Sequence, residues 1–373
     1  MFCIGLRLPL QLPKRQYLTL LAAVIISCTS LFFYLFTQEL LPKAIAIPRI
    51  SVSDYLPSAS SNSTRAEAPK YAFATFLSTR VDEGTAIEKD VYFTATRVLS
   101  YQLLHHPQTR TQQNIPFIII VPPHVSALKR DILSSEGATV IEVPLLNPTN
   151  WTANPGEPRW VDQFTKLRLF ELTEYDRILY MDTDMLLTRP LDSIFAEAIV
   201  HEPQWTANDT QSIQQREGPL PETYVLSGTP DNGGPGSDHP AKYTPQAQMN
   251  GGFWCMQPSV MLFNYYVTLL ELGHFESWNM EMGLLNYAHR AGGPMPWKDL
   301  PAGKWSSNWP RLRDVESGSA TLHDKFWSSD NKDWIDRELV EMWWRVQGQM
   351  EGFWQRHRKM YYLKRRNVFG TIN

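Results

Sequence analysis

The stretch Arg177-Ile178-Leu179-Tyr180-Met181-Asp182-Thr183-Asp184-Met185-Leu186-Leu187 limits most tightly what this chain can fold into. Its apolar run reads as a strand buried on both faces of a parallel sheet. The run is interrupted at Asp182 and Asp184, so two carboxylates one residue apart emerge at a strand's carboxyl end, where open α/β sheets place their ligands. Hard oxygen ligands in that position suit Mg²⁺ or Mn²⁺, which bridges protein carboxylates to substrate phosphates. The same tripeptide can serve as a turn or a helix cap before Pro190, so its surroundings decide. A helical stretch from Phe164 to Leu172 precedes it, and two further polar segments follow.

At 373 residues with 43% hydrophobic and 12% aromatic content, the chain can bury one large core or two small ones. A net charge of -3 and a pI near 6.3, with no basic stripe, argue against a nucleic-acid binder. Residues 18–36 (LTLLAAVIISCTSLFFYLF) form an uncharged apolar run long enough to cross a bilayer as a helix. No small-x-small cleavage site follows directly, so the run is expected to be an uncleaved anchor. Arg7, Lys14 and Arg15 precede it and Glu39 follows, which leaves residues 1–17 cytoplasmic and sends the rest across, a type II topology. Residues 37–70, rich in Pro, Ser and Ala, read as a luminal stem. Beyond the anchor Cys255 is the sole cysteine, so that part forms no internal disulfide. Asn62, Asn150 and Asn208 each open an N-glycosylation triplet.

Strand and helix patterns alternate from Tyr71 onward: a strand over Tyr71 to Thr79, helical spacing from Ile87 to His105, a strand over Phe117 to Val121, a helix from Val125 to Glu136, a strand over Thr139 to Val143, and a helix from Asp162 to Leu172. Such alternation predicts βαβ units and a parallel sheet. Between Asp192 and Met249 lies a long insertion whose Pro/Gly-rich core, Gly218 to Gln248, is expected to be an acceptor-binding lid or a disordered loop. After Trp327, Ile335, Leu339, Met342, Val346, Met350 and Phe353 recur at helical spacing, predicting an amphipathic helix within a C-terminal extension over 331–373.

Four segments carry a resemblance. Thr165-Lys166-Leu167, Tyr180-Met181-Asp182-Thr183-Asp184, Asn250-Gly251-Gly252-Phe253-Trp254 and Glu281-Met282-Gly283-Leu284-Leu285-Asn286 resemble, in order, motifs of the glycogenin-like retaining glycosyltransferases, family 8. The resemblance implies a GT-A α/β domain over 71–330, with Asp182 and Asp184 holding Mn²⁺ or Mg²⁺ and Thr183 beside the nucleotide. It also implies that the end of the first strand, with Phe76, Leu77 and Thr79, contacts the nucleotide, and that Lys166 contacts the donor. Asn250 would meet donor sugar or acceptor, Gly251 and Gly252 would let backbone approach a ligand, and Glu281 would act as nucleophile or charge stabiliser at the anomeric carbon. In Leu322-His323-Asp324-Lys325-Phe326-Trp327 the family's His-to-Lys spacing is compressed and its Pro is replaced by Phe326. His323 is still expected on the metal and Lys325 on the diphosphate, with Asp324 as the substitute ligand if the imidazole is pulled away. The implied activity is metal-dependent, retaining transfer of a hexose from a nucleotide sugar (UDP-linked glucose, galactose or N-acetylglucosamine) to a glycan acceptor at the Golgi membrane. The rival readings are a nucleotide-sugar hydrolase and a non-catalytic luminal lectin or scaffold.

Overall fold

The computed structural model describes residues 68–79, 87–207, 217–231, 234, 248–301, 303–328 and 334–357, all within one compact unit, Glu67–Asn373. The expected tail, anchor and nearly all of the stem, together with Asn62 and Asn208, lie outside the described residues. Among the described residues no helix is long and apolar enough to cross a membrane.

The strands are β1 Tyr71–Phe76, β2 Phe117–Val121, β3 Thr139–Glu142, β4 Arg177–Met181, β5 Met185–Leu187, β6 Gln204–Trp205, β7 Thr223–Tyr224, β8 Leu226–Pro230, β9 Met249–Met256, β10 Lys298–Asp299, β11 Ser306–Asn308 and β12 Thr321–His323. The α-helices are α1 Val91–Leu104, α2 Ala127–Ser135, α3 Ala198–His201, α4 Val260–Leu272, α5 Glu281–Ala288, α6 Leu312–Glu316 and α7 Arg337–Arg356. Seven strands form the main sheet in the order β10-β8-β9-β4-β1-β2-β3. Pairing is parallel from β4 through β1 and β2 to β3, antiparallel where β9 meets β4 and β8, and parallel again at β10. The expected mixed α/β architecture with a mainly parallel centre is therefore present.

Period-two alternation sorts the central strands between two cores. Ala72, Ala74, Ile118, Ile120, Ile178 and Tyr180 face one core, closed by Phe164, Phe170, Trp254 and Tyr266. Phe73, Phe117, Ile119, Leu179 and Met181 face the other, closed by α1 and α2 through Phe93, Leu99 and Leu133. Side-chain caps start the helices where the sequence offers them: Asp90 accepts from Phe93 N (3.0 Å) and Ser259 from Leu262 N (3.3 Å). Gly273, at φ 64, ends α4 in the left-handed conformation that glycine adopts without a Cβ penalty. After β3 the chain returns to the other side of β1, so the strand order reverses between β1 and β4. That switch point opens a crevice at their carboxyl ends.

Several expectations are corrected here. The organising run is two strands, β4 in the main sheet and β5 in a three-stranded sheet ordered β11-β12-β5. The helix before it is not α-helical but a 3-10 helix, Gln163–Glu171. Three residues per turn align buried Phe164, Leu167 and Phe170, whereas an α-helix would bring Arg168 and Glu171 onto that face; they pair outside instead at 2.9 Å. The insertion is not one loop: it contains β7 and β8, and β8 lies fully buried between β9 and β10, entered through the apolar Tyr224-Val225-Leu226 that its Pro/Gly-rich surroundings obscured. Residues 208–216, 232–233 and 235–247 of that insertion lie outside the described set, and with them about half of the proposed lid. Asn250-Gly251-Gly252, turn-like as a bare sequence, is part of β9. The C-terminal helix is present as α7, burying Leu339, Trp343 and Met350 against α1, Leu186, Leu322 and Phe326.

Candidate active site

The two sheets meet at the Asp-Thr-Asp turn. Asp182 N donates to Gly252 O (2.9 Å), tying the end of β4 to β9. Three residues on, β5 pairs antiparallel with β12 in the register Met185↔His323, which brings the imidazole onto the carboxylates. His323 Nε2 lies 3.0 Å from Asp184 Oδ1 and 3.9 Å from Asp182 Oδ2. One ligand atom from each of Asp182, Asp184 and His323 falls within 4.8 Å of the others. Two carboxylate oxygens and one imidazole nitrogen converging in this way fit a hard divalent ion such as Mn²⁺ or Mg²⁺. Asn308, paired with His323 across β11 and β12, fixes the ring: Nδ1–H donates to Asn308 Oδ1 at 3.0 Å, leaving Nε2 toward the carboxylates. Burial alone would lower the His323 pKa, but Asp184 and Asp182 raise it above its ordinary value. Burial opposes ionisation of Asp184 too, yet Lys325 (Nζ to Oδ2, 2.9 Å) and His323 hold its carboxyl well below the usual range. Compression of the His323–Lys325 spacing thus leaves both side chains on Asp184, while Asp324 donates its backbone N–H to Asp184 O (3.2 Å).

A second charged group adjoins the first. Lys166, buried on the 3-10 helix, reaches Asp182 Oδ1 (2.9 Å) and Glu281 Oε1 (2.7 Å), with its Nζ 5.0 Å from the Tyr180 ring centre. Burial works against the ammonium, but the two carboxylates hold its pKa above the ordinary value. Glu281 opens α5, where the helix dipole favours an acid. Burial pushes its carboxyl up to about 7 despite Lys166. Met280, immediately before it, takes a positive φ of 51, uncommon for a residue with a side chain. Tyr180 OH donates to Asp182 Oδ1 (2.5 Å).

Gly252 has a role the sequence reading did not give it. A Cβ there would sit 2.4 Å from His323 Cε1 and 3.0 Å from Asp182 Oδ2, so its bareness makes room for the cluster itself. A Cβ on Gly251 would stand 3.0 Å from Met282 Cβ and 3.2 Å from Glu281 Oε1. Asn250 Oδ1 accepts from Gly252 N (2.8 Å) and its amide donates to Asp231 (3.0 Å), so the side chain braces this strand. Phe76, Leu77, Thr79 and Thr183 are all buried. Phe76 and Leu77 point into opposite cores.

Sequence reasoning missed Asn308, which carries no local signal because its partner is set by β11–β12 pairing. It also missed Tyr180, although two-residue spacing from Asp182 puts both on one side of the strand. A further group at the same edge went unread: Ser78 donates to Asp162 Oδ2 (2.5 Å) and lies 3.1 Å from His124 Nε2.

No family model matches the chain. An uncharacterised protein of Schizosaccharomyces pombe is 26% identical over 380 residues, spanning 92% of this chain and 96% of that protein. Glycogenin-2 of Homo sapiens is 31% identical over 113 residues, 30% of this chain and 22% of that protein. Galactinol synthase 10 of Arabidopsis thaliana is 28% identical over 80 residues, 21% of this chain and 24% of that protein.

Proposed function

We propose that this protein is a divalent-metal-dependent glycosyltransferase that moves a hexose from a UDP-sugar to a glycan acceptor with retention of configuration. The observation that carries the reading is the junction of two groups at one sheet edge. Asp182, Asp184 and His323 converge within 4.8 Å, and Lys166 links Asp182 to a buried Glu281. The similarity to glycogenin-2 and galactinol synthase 10 supports a glycosyltransferase. A type II anchor at 18–36 and a Golgi location complete the proposal on sequence grounds.

Asp182, Asp184 and His323 would hold the ion, which when bound supplies Lewis-acid stabilisation of the departing diphosphate. Lys325, already on Asp184, would offset charge growing on the leaving group. Lys166 fixes Glu281 and Asp182 relative to each other. Glu281, ionised, would meet positive charge developing at the anomeric carbon, either as nucleophile or as electrostatic partner.

The test is thermal unfolding of the full-length chain with Mn²⁺, UDP and both together. UDP at 100 times its Kd should stabilise the Mn²⁺-loaded protein by about 2.7 kcal/mol. Asp182→Ala should abolish that increment. Equal protection by UDP with and without metal, or full protection of Asp182→Ala, overturns the reading.

A further inference from the structure

Glu281 is approached by a loop that does something costly: it holds an indole in water. Trp278, three residues before Glu281, is 54% exposed. Full burial of a large apolar side chain is worth about 1.5–3 kcal/mol, so leaving it half out forgoes part of that gain. Yet the loop under it is firmly held. Trp278 N donates to Glu276 Oε1 (2.5 Å) and Trp278 O accepts from Gly156 N (2.8 Å). Met280 N closes back on Ser277 O (3.0 Å), and Met282 N on Asn279 O (3.1 Å). Phe275 anchors the loop between Trp151 and Phe164, each edge-on at 5.8 Å.

Two glycines fit the loop to its surroundings. A Cβ on Gly283 would fall 1.8 Å from Glu276 O, so the loop lies directly on the first turn of α5. A Cβ on Gly156 would fall 2.4 Å from Trp278 Nε1 and 2.6 Å from Cε2, so the indole rests on bare backbone. Gly156 belongs to the segment that runs from β3 to the 3-10 helix carrying Lys166. Three residues span at most about 11 Å, which bounds how far Trp278 can stand from Glu281. Trp205 and Trp344 are exposed as well, but they sit on the paired strands β6 and β7 and on α7, with no such tie to Glu281.

We propose that Trp278 is the stacking platform of an acceptor subsite, receiving the apolar C–H face of a pyranose ring. A pyranose has one such face and a rim of hydroxyls, and an indole offers a flat, electron-rich surface with a polar N–H at its edge. A rigid platform suits the task because little freedom remains to be lost on binding. The assignment rests on the glycosyltransferase reading for the word acceptor; the carbohydrate platform itself stands on the loop.

The experiment uses the full-length chain labelled with 5-fluorotryptophan, its Trp278 resonance assigned from Trp278→Phe. Methyl β-glucoside, methyl β-galactoside and methyl β-xyloside are the titrants, and saturation-transfer NMR reports binding to the unlabelled protein. At least one glycoside should shift the Trp278 signal saturably. Trp278→Ala, with unchanged circular dichroism, should weaken that glycoside at least tenfold, and Trp278→Phe should restore much of the loss. Glycosides that bind without moving the Trp278 resonance overturn the proposal, as does the absence of binding by all three. UDP protection in the presence of Mn²⁺ separates the two claims. If it persists while Trp278 stays silent, only the platform fails; if it is absent while Trp278 responds, only the donor reading fails.

Discussion

His323 meets an oxygen at each ring nitrogen, and only one of them is exchangeable for a metal. Asn308 Oδ1 takes the Nδ1 proton at 3.0 Å, which commits Nε2 to the side where Asp182 and Asp184 stand. Asn308→Leu should therefore weaken Mn²⁺ binding by about 10–100-fold, the usual cost of losing such a partner. Asn308→Asp, which keeps the acceptor, should recover most of it; isothermal titration with Mn²⁺ compares the three proteins. Gly252→Ala is the sharper variant, because its methyl would meet the imidazole 2.4 Å away and the Asp182 carboxylate 3.0 Å away. It should lose more than tenfold in Mn²⁺ affinity while its far-ultraviolet circular dichroism stays native; unchanged affinity would show that the imidazole is not a ligand. Asp182 and Asp184 were legible because they interrupt an apolar run at a strand's end, whereas Lys166 and Glu281 were legible only through the family resemblance. Asn308 was not, since Ser306-Ser307-Asn308 is a polar stretch whose meaning comes only from a strand elsewhere in the chain.

Among the elements, the 3-10 helix Gln163–Glu171 and the strand β8 are where local pattern misled. Apolar residues at 164, 167 and 170 fit either helix type loosely, and the decision lay in where Arg168 and Glu171 would be forced to go. In β8, Gly228 and Pro230 masked a strand whose hydrogen bonds run to β9 and β10. The junction of α4 and α5 carries a different kind of information, invisible in sequence: a fully buried imidazole. His289 donates Nδ1–H to Met295 O (2.6 Å) and accepts from Tyr266 OH at Nε2 (2.6 Å), so its neutral form is the satisfied one. Burial lowers its pKa from 6.5 to about 4. The unfolded chain takes up this proton below 6.5 while the folded chain resists until about 4, so stability is full above 6.5 and falls as pH drops between those values. From pH 7.5 to pH 5 this group should remove roughly 2 kcal/mol. Urea denaturation at both values for the wild type and His289→Gln measures it. The variant, less stable at pH 7.5, should show a pH-dependent loss smaller by about that amount, and equal losses refute the assignment.

Across the described residues, the expected mainly parallel sheet is present, with helices on both of its faces. The parallel pairing of β1 to β4 was legible as βαβ alternation, but the order of the strands was not. The antiparallel placement of β9 and β8 beside β4 depends on long-range pairing that no window of sequence reveals. The C-terminal helix is structurally continuous with the site: α7 packs through Trp343 on Trp327 (5.6 Å), which in turn meets Tyr92 of α1 (5.5 Å). Leu322 and Leu186, neighbours of His323 and Met185, belong to the same cluster. Trp343→Ala should cost about 3–5 kcal/mol in denaturant unfolding, as emptying a large buried aromatic site does. A loss below 1 kcal/mol would mean that α7 is not part of the folded core. The Asp184–His323 contact joins residues 139 positions apart, which turns distance along the chain into time. At about 5–20 residues per second, roughly 7–28 s separate the emergence of the carboxylates from that of the imidazole during synthesis. A nascent chain therefore carries its acidic pair for that interval without the imidazole, and the three-residue cluster assembles only after β12 has left the ribosome and found β5.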